Sequence, residues 1–127
     1  MYLLDTHAII WFFNEPELIP SKTLEIIQES ENKIFYSLIS LWEISIKLKI
    51  NKLKINKTVE ELNEACLFSG FELISMKIEH LGALEALDLH HSDPFDRILI
   101  STALTENMTI ITKDKSITPY PVSILWQ

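Results

Sequence analysis

The chain opens on a short apolar run, Tyr2-Leu3-Leu4, that stops abruptly at Asp5. Apolar residues at successive positions suit a strand buried on both faces, as in a parallel sheet. Asp5 is then the first residue past the carboxyl end of that strand, the side on which open α/β sheets bind ligands. Residues 7–13 read as a short helix, followed by a loop over 14–20. Ser21 is placed to cap a second helix, 22–29, with Leu24, Ile26 and Ile27 turned inward. Residues 33–36 are β-prone and predict a second strand. Ser37 then caps a helix through about Lys49, whose apolar surface is Leu38, Leu41, Trp42, Ile46 and Leu48. Thr58-x-x-Glu61 has the capping-box form and opens a helix over 59–68, with Gly70 as its stop. A third strand follows at 71–75 and a helix at 77–87. Asp93 at the N-cap and Pro94 at the first helical position open a strong helix running through Leu104. Residues 109–112 predict a fourth strand. A fifth, at 122–125, belongs on an edge because Pro119 and Pro121 precede it.

Strands that alternate with helices imply right-handed crossovers and a parallel sheet. The expected architecture is α/β: one domain over 1–127, with a five-stranded parallel sheet flanked by helices. The length of 127 residues suits a single domain. A chain of this size buries roughly two-thirds of its unfolded surface. Two Gly and five Pro leave no room for a long linker. The single cysteine, Cys66, excludes an internal disulfide and fits a reducing, cytoplasmic setting; it reads as a small buried apolar residue. The apolar stretch 8–13 is far too short to span a membrane. The N-terminus lacks the basic region of a signal peptide.

The net charge of −7 argues against broad electrostatic attraction to nucleic acid. It leaves room for a nuclease, since a bound metal would invert the local field. The placement of the acids says more. Glu25/Glu29 and Glu60/Glu61/Glu64 lie at helical spacing and read as solvated faces. Aspartates occur only at 5, 88, 93, 96 and 114. Four of these fall where an element begins or ends. Each has a local explanation. Asp5 can cap the first helix. Asp93 caps a later one, and Asp96 sits in that helix's first turn, where the dipole favours a carboxylate. Asp114 suits a turn. Glu43 can pair with Lys47 one turn on; a capping box with Ser40 is weakened if the helix starts at Ser37.

Taken together, these acids converge. In a parallel sheet all the strand carboxyl ends lie along one rim. Asp5 and Asp114 follow two of those ends. Asp93 and Asp96 start the helix leading into the fourth strand, and Glu43 lies in the helix after the second. Carboxylates gathered without a cation repel one another, which raises their pKa values. A hard cation such as Mg²⁺ or Mn²⁺ prefers such oxygen ligands. His80, His90 and His91 have no partner at a recognised metal spacing, and the His90-His91 pair reads as loop. The repeat KLKIN at 47–51 and 52–56 places lysines at 47, 49, 52, 54 and 57. They are either a solvated helix end and loop or a phosphate-contacting edge.

Four segments, LLDTH at 3–7, SLWEISIK at 40–47, DPFDRILI at 93–100 and TKD at 112–114, resemble the acidic motifs of PIN-domain nucleases, most closely the VapC-type toxins of toxin–antitoxin pairs. The resemblance spans nearly the whole chain. It implies a metal site built from Asp5, Glu43, Asp96 and Asp114, with Asp93 as an extra acid. It implies a metal-dependent endoribonuclease, usually homodimeric and silenced by a cognate antitoxin. Thr6 and Thr112 are candidates to support the metal ligands by hydrogen bonds. Arg97 and Lys47 are candidates for substrate phosphate, although each also suits an ion pair. Two other classes compete. A receiver-like phosphoacceptor domain needs adjacent acids after strand one and an aspartate after strand three, where this chain has Asp5-Thr6 and Ser75-Met76. A catalytically silent interaction module of the same fold is the other.

Overall fold

A computed structural model describes residues 1–127. Five strands, β1 (Tyr2–Leu4), β2 (Ile34–Ser37), β3 (Glu72–Ile74), β4 (Thr109–Ile111) and β5 (Ile124–Leu125), form one sheet in the order β3-β2-β1-β4-β5. Every pairing is parallel. The helices are α1 (Thr6–Asn14), α2 (Ser21–Gln28), α3 (Leu38–Lys49), α4 (Val59–Phe68), α5 (Ile78–Ala86) and α6 (Pro94–Glu106). The expected α/β sheet is therefore present, with β5 on the edge that its flanking prolines require. No helix is long and apolar enough to cross a membrane.

Leu3 and Leu4 are both fully buried, and they lie in different core clusters. Leu4 packs with Ile9, Tyr36, Ile44 and Leu62; Leu3 packs with Leu99, Ile100 and Ile110. Successive side chains of a strand point to opposite faces, so β1 runs through the centre with a core on each side. Cys66 lies in the first cluster, and burial pushes its thiol up to about 12. That makes it an unreactive packing residue.

The chain winds from β1 out to β2 and β3, then crosses back to place β4 and β5 on the other side of β1. The strand order thus reverses between β1 and β4, and the crevice at the carboxyl ends of such strands is where these sheets bind ligands. The register levels the two ends: Leu4 pairs with Ile111, so Asp5 and Thr112 leave the sheet side by side.

Local details depart from the expected pattern in three places. Residues 14–20 are not all loop, because Pro16–Leu18 form a 3-10 turn. Ser21 is the first residue of α2 and makes no cap; Thr23 and Ile27 are its buried residues, with Leu24 and Ile26 half-buried. In α3 Leu41 is buried and Leu48 half-buried, as expected, but the other three expected apolar positions face out. Leu38, Trp42 and Ile46 are exposed, at 48%, 56% and 38%. The buried positions are Ile39, Ser40, Leu41, Glu43 and Ile44. The inward stripe carries two polar residues, Ser40 and Glu43, so hydrophobicity alone places only part of the face. The caps of α3 (Ser37), α4 (the Thr58/Glu61 box) and α6 (Asp93) form as expected, and Gly70 ends α4 at a φ of +86°.

Candidate active site

Asp5 both caps α1 and faces the crevice. Its Oδ1 accepts from the Ala8 N–H at 2.7 Å, and its Oδ2 accepts from the Thr112 hydroxyl. The residue is 5% exposed. Burial pushes its carboxyl above the usual range; the bonds from Thr112 and Ala8 and the nearby His7 partly offset this, and the charge of Asp114 adds to it. Thr112 also ties the two strand ends together, since its Oγ1 accepts from the Asp114 N–H at 3.0 Å. Asp114 in turn caps a 3-10 turn (Lys115–Ile117). Its Oδ1 accepts from Ser116 N at 2.9 Å and Ser116 Oγ at 2.7 Å.

Asp96 enters from the first turn of α6. Asp93 Oδ1 accepts from Phe95 N at 2.9 Å and Asp96 N at 3.2 Å, which fixes that turn. The Asp96 carboxyl is pushed up to about 7, first by burial, then by the like charge of Asp93 and that of Asp114, against a hydrogen bond from His91. Burial also raises Asp114. The bonds from Ser116 N and Oγ, with smaller contributions from the neighbouring Asp96 and His91, outweigh it and hold Asp114 below the usual range. Asp114, at the end of β4, thus lies within charge range of both Asp5, at the end of β1, and Asp96, at the start of α6.

Glu43 stands one step away. Thr6 Oγ1 donates to Glu43 Oε1 at 2.7 Å and shares a hydrogen bond with Ser40 Oγ at 3.0 Å. Glu43 Oε2 pairs with Lys47 Nζ at 2.9 Å. The capping box with Ser40 does not form, because Ser40 already lies inside α3; the one-turn pair with Lys47 does. Both oxygens of Glu43 are engaged, and it joins the cluster through Thr6, the neighbour of Asp5.

Two residues at the site carried no signal in the sequence. His91 Nε2 lies 3.2 Å from Asp96 Oδ2, and its Nδ1 lies 2.7 Å from the Tyr120 hydroxyl. That hydroxyl accepts from His90 N and His91 N, each at 3.2 Å, and from Arg97 Nη1 at 3.0 Å. With three donors aimed at its oxygen, Tyr120 directs its own proton to Nδ1. This leaves Nε2–H of His91 facing Asp96. His91 is therefore in a loop, as expected, but it orients a site carboxyl. Arg97 is neither in a surface ion pair nor turned outward. Besides Tyr120 it donates to Asp88 O at 2.9 Å and Leu87 O at 3.2 Å, so its guanidinium is committed to holding the connection before α6. His80 is a buried structural group, accepting from Lys77 N and bonded to Glu106 Oε2 at 2.7 Å.

The rim opens into a cleft of about 390 Å³ lined by Asp5, His7, Trp11, Lys113, Asp114 and Lys115. As the side chains stand, no three acids or imidazoles enclose a common point. The donor set nonetheless suits a hard cation. It is made of carboxylate oxygens, and its half-buried member Asp96 is pushed up to about 7 by desolvation and by the charges of Asp93 and Asp114, which the contact with His91 only partly offsets.

The family model of the PIN domain matches residues 2–121. No curated relative matches the chain. Among solved structures, one chain of VapBC2 from Rickettsia felis bound to a promoter DNA fragment is 20% identical, with a TM-score of 0.75, covering 99% of this chain and 98% of that one. A DNA-bound VapBC from Salmonella typhimurium is 15% identical, with a TM-score of 0.72, over 98% and 96%. A toxin–antitoxin complex from Klebsiella pneumoniae is 20% identical, with a TM-score of 0.65, over 98% and 96%. At these identities the likeness is one of fold.

Proposed function

This chain belongs to the PIN-domain family, and from that premise we propose that it is a divalent-metal-dependent endoribonuclease, the toxin of a VapBC-type pair acting in the cytoplasm. The observation that supports this reading is that Asp5 and Asp96 each lie within charge range of Asp114 along the strand carboxyl ends where the strand order reverses. These three would hold Mg²⁺ or Mn²⁺, with Glu43 reaching the same ion or a second one. Asp93, whose Oδ1 serves the cap, supports Asp96. What a bound ion supplies is a water of lowered pKa and neutralisation of charge at the scissile phosphate. The protein's own part is placement. Thr112 fixes Asp5, Ser116 fixes Asp114, and His91 fixes Asp96. Thr6 does the same for Glu43. Lys113 and Lys115 line the cleft beside them, where a phosphate would meet positive charge. Attack by water on phosphorus with loss of the 3′ oxygen gives a 5′-phosphate and a 3′-hydroxyl. No catalytic histidine is required.

The test is a cleavage assay on a mixed pool of structured RNAs. Cleavage is expected with Mg²⁺ or Mn²⁺ and none in excess EDTA. Persistent cleavage in EDTA by rigorously purified protein overturns the reading, and no cleavage under any metal favours a silent module.

A second copy and an antitoxin are the proposed protein partners. The resemblance motivates both, and the solved structures of similar fold include toxin–antitoxin complexes. A basic side chain of the antitoxin would satisfy the carboxylates in place of metal. For the second copy, the exposed face of α3 adds support: Trp42 packs edge-on to Phe95 at 5.2 Å, beside an apolar groove of about 210 Å³. Apolar surface of this kind marks association sites. Light scattering should give a dimer mass that Trp42→Glu converts to monomer. A monomeric mass for the parent across the micromolar range contradicts self-association.

A further inference from the structure

The cleft at the acidic rim does not end there. It shares His7 and Trp11 with a second cleft of about 380 Å³ between α1 and the loop after α3, lined at its far side by Lys47, Lys52 and Lys54. Five of the chain's eleven basic side chains line these two contiguous clefts, in a molecule whose net charge is −7. Lys47 is neutralised by Glu43. Lys52 and Lys54 are exposed and enter no ion pair, and Glu15 is the one acid in the second cleft. Between the two groups of lysines lie the exposed His7 ring and the half-buried Trp11, with centroids 5.5 Å apart.

Resting on the nuclease reading, we propose that the second cleft is the track for the single-stranded RNA flanking the scissile phosphate. Lys52 and Lys54 contact its backbone there, and the exposed His7 ring, backed by Trp11, offers the surface on which a base stacks. Cations alternating with aromatic faces along a groove are what sequence-tolerant single-strand binding requires. The KLKIN repeat thus splits by role: its first copy supplies the partner of Glu43, its second the phosphate contacts.

The experiment uses the full chain carrying Asp96→Asn, which is expected to bind without cutting, and a fluorescein-labelled oligouridine read by anisotropy over a range of salt. Lys52→Ala/Lys54→Ala should raise Kd severalfold and flatten the log K against log[salt] slope by about 1.4, two single-strand contacts at roughly 0.7 each. Lys22→Ala/Lys33→Ala, exposed lysines away from both clefts, should change neither. In the cleaving parent, the loop pair should lower kcat/KM on a long RNA more than on a dinucleotide confined to the rim. An unchanged slope and Kd overturn the track while the parent's metal-dependent cleavage leaves the nuclease reading standing. Loss of cleavage in the parent itself defeats that reading instead. Undetectable RNA binding by the parent, or loss of polyglutamate rather than RNA binding in the loop variant, also overturns the proposal.

Discussion

Asp96→Asn should reduce kcat/KM for RNA cleavage by orders of magnitude at saturating Mg²⁺ without unfolding the protein, while Asp93→Asn should keep most of it. The two residues share one helical turn but do different things there. Asp93 Oδ1 accepts two backbone N–H groups, Phe95 and Asp96. Asn caps nearly as well as Asp, whereas Ala loses about 1 kcal/mol at such a position. Asp93→Ala should therefore be measured as a loss of stability first and of activity second. Asp96 makes no cap. Its carboxyl feels the like charge of Asp114 and takes a hydrogen bond from His91. The amide of Asn still accepts from His91 but brings no charge to a cation, so the fold survives and the chemistry does not. His91→Ala should fall between the two, raising the Mg²⁺ concentration for half-maximal activity because the Asp96 carboxyl is no longer oriented. The measurement is kcat/KM for each variant, with circular dichroism to show folding. If Asp93→Asn were as inactive as Asp96→Asn, the cap would not account for Asp93, and it would have to be counted among the metal ligands.

The parts of this molecule legible in the sequence are those governed by near neighbours. β1 is an unbroken apolar run, and a strand buried on both faces needs nothing else. The caps at Ser37, Thr58 and Asp93 are set within three residues. The convergence of Asp5 and Asp114 is also legible, because parallel topology puts strand carboxyl ends on one side whatever the details. What escaped depends on pairing across the chain. Ser40 and Glu43 point inward where Thr6, 34 and 37 residues away, hydrogen-bonds them; a periodicity argument that places polar residues outside keeps Leu41 and Leu48 inside but also turns in Leu38, Trp42 and Ile46, which are exposed. The His91–Tyr120 contact joins residues 29 apart, and only the turn after β4 brings Tyr120 under the loop before α6. Arg97 reads as a phosphate contact or an ion-pair partner because the carbonyls it serves belong to that same loop, whose shape no local rule fixes.

In metal-free protein, stability should fall as pH rises from about 4 to 7, and Mg²⁺ should restore it. The sign follows from proton counts. Burial and the charges of Asp93 and Asp114 push the Asp96 carboxyl up to about 7, and burial raises Asp5 as well. An unfolded aspartate titrates near pH 3.9, roughly its reference value. Between those values the folded chain binds more protons than the unfolded one, so the slope of stability with pH is negative. Asp114 and Glu106, both held below their usual range, work the other way. Their contribution is present above about pH 4 and is lost only below it, beneath the window in question. A cation at the rim replaces the proton. It competes poorly at pH 5, where Asp96 is protonated, and well at pH 7.5, where it is not. At 100 times its Kd a ligand of the native state alone adds about 2.7 kcal/mol. For a chain of this length that is a melting shift of roughly 10 °C. Thermal melts at pH 5 and 7.5, in EDTA and in Mg²⁺, should show a shift confined largely to the higher pH. The Asp5→Asn/Asp96→Asn variant should flatten the pH slope in EDTA and lose most of the Mg²⁺ shift. An equal Mg²⁺ shift at both pH values, or one that survives the double substitution, would place the cation somewhere other than this rim.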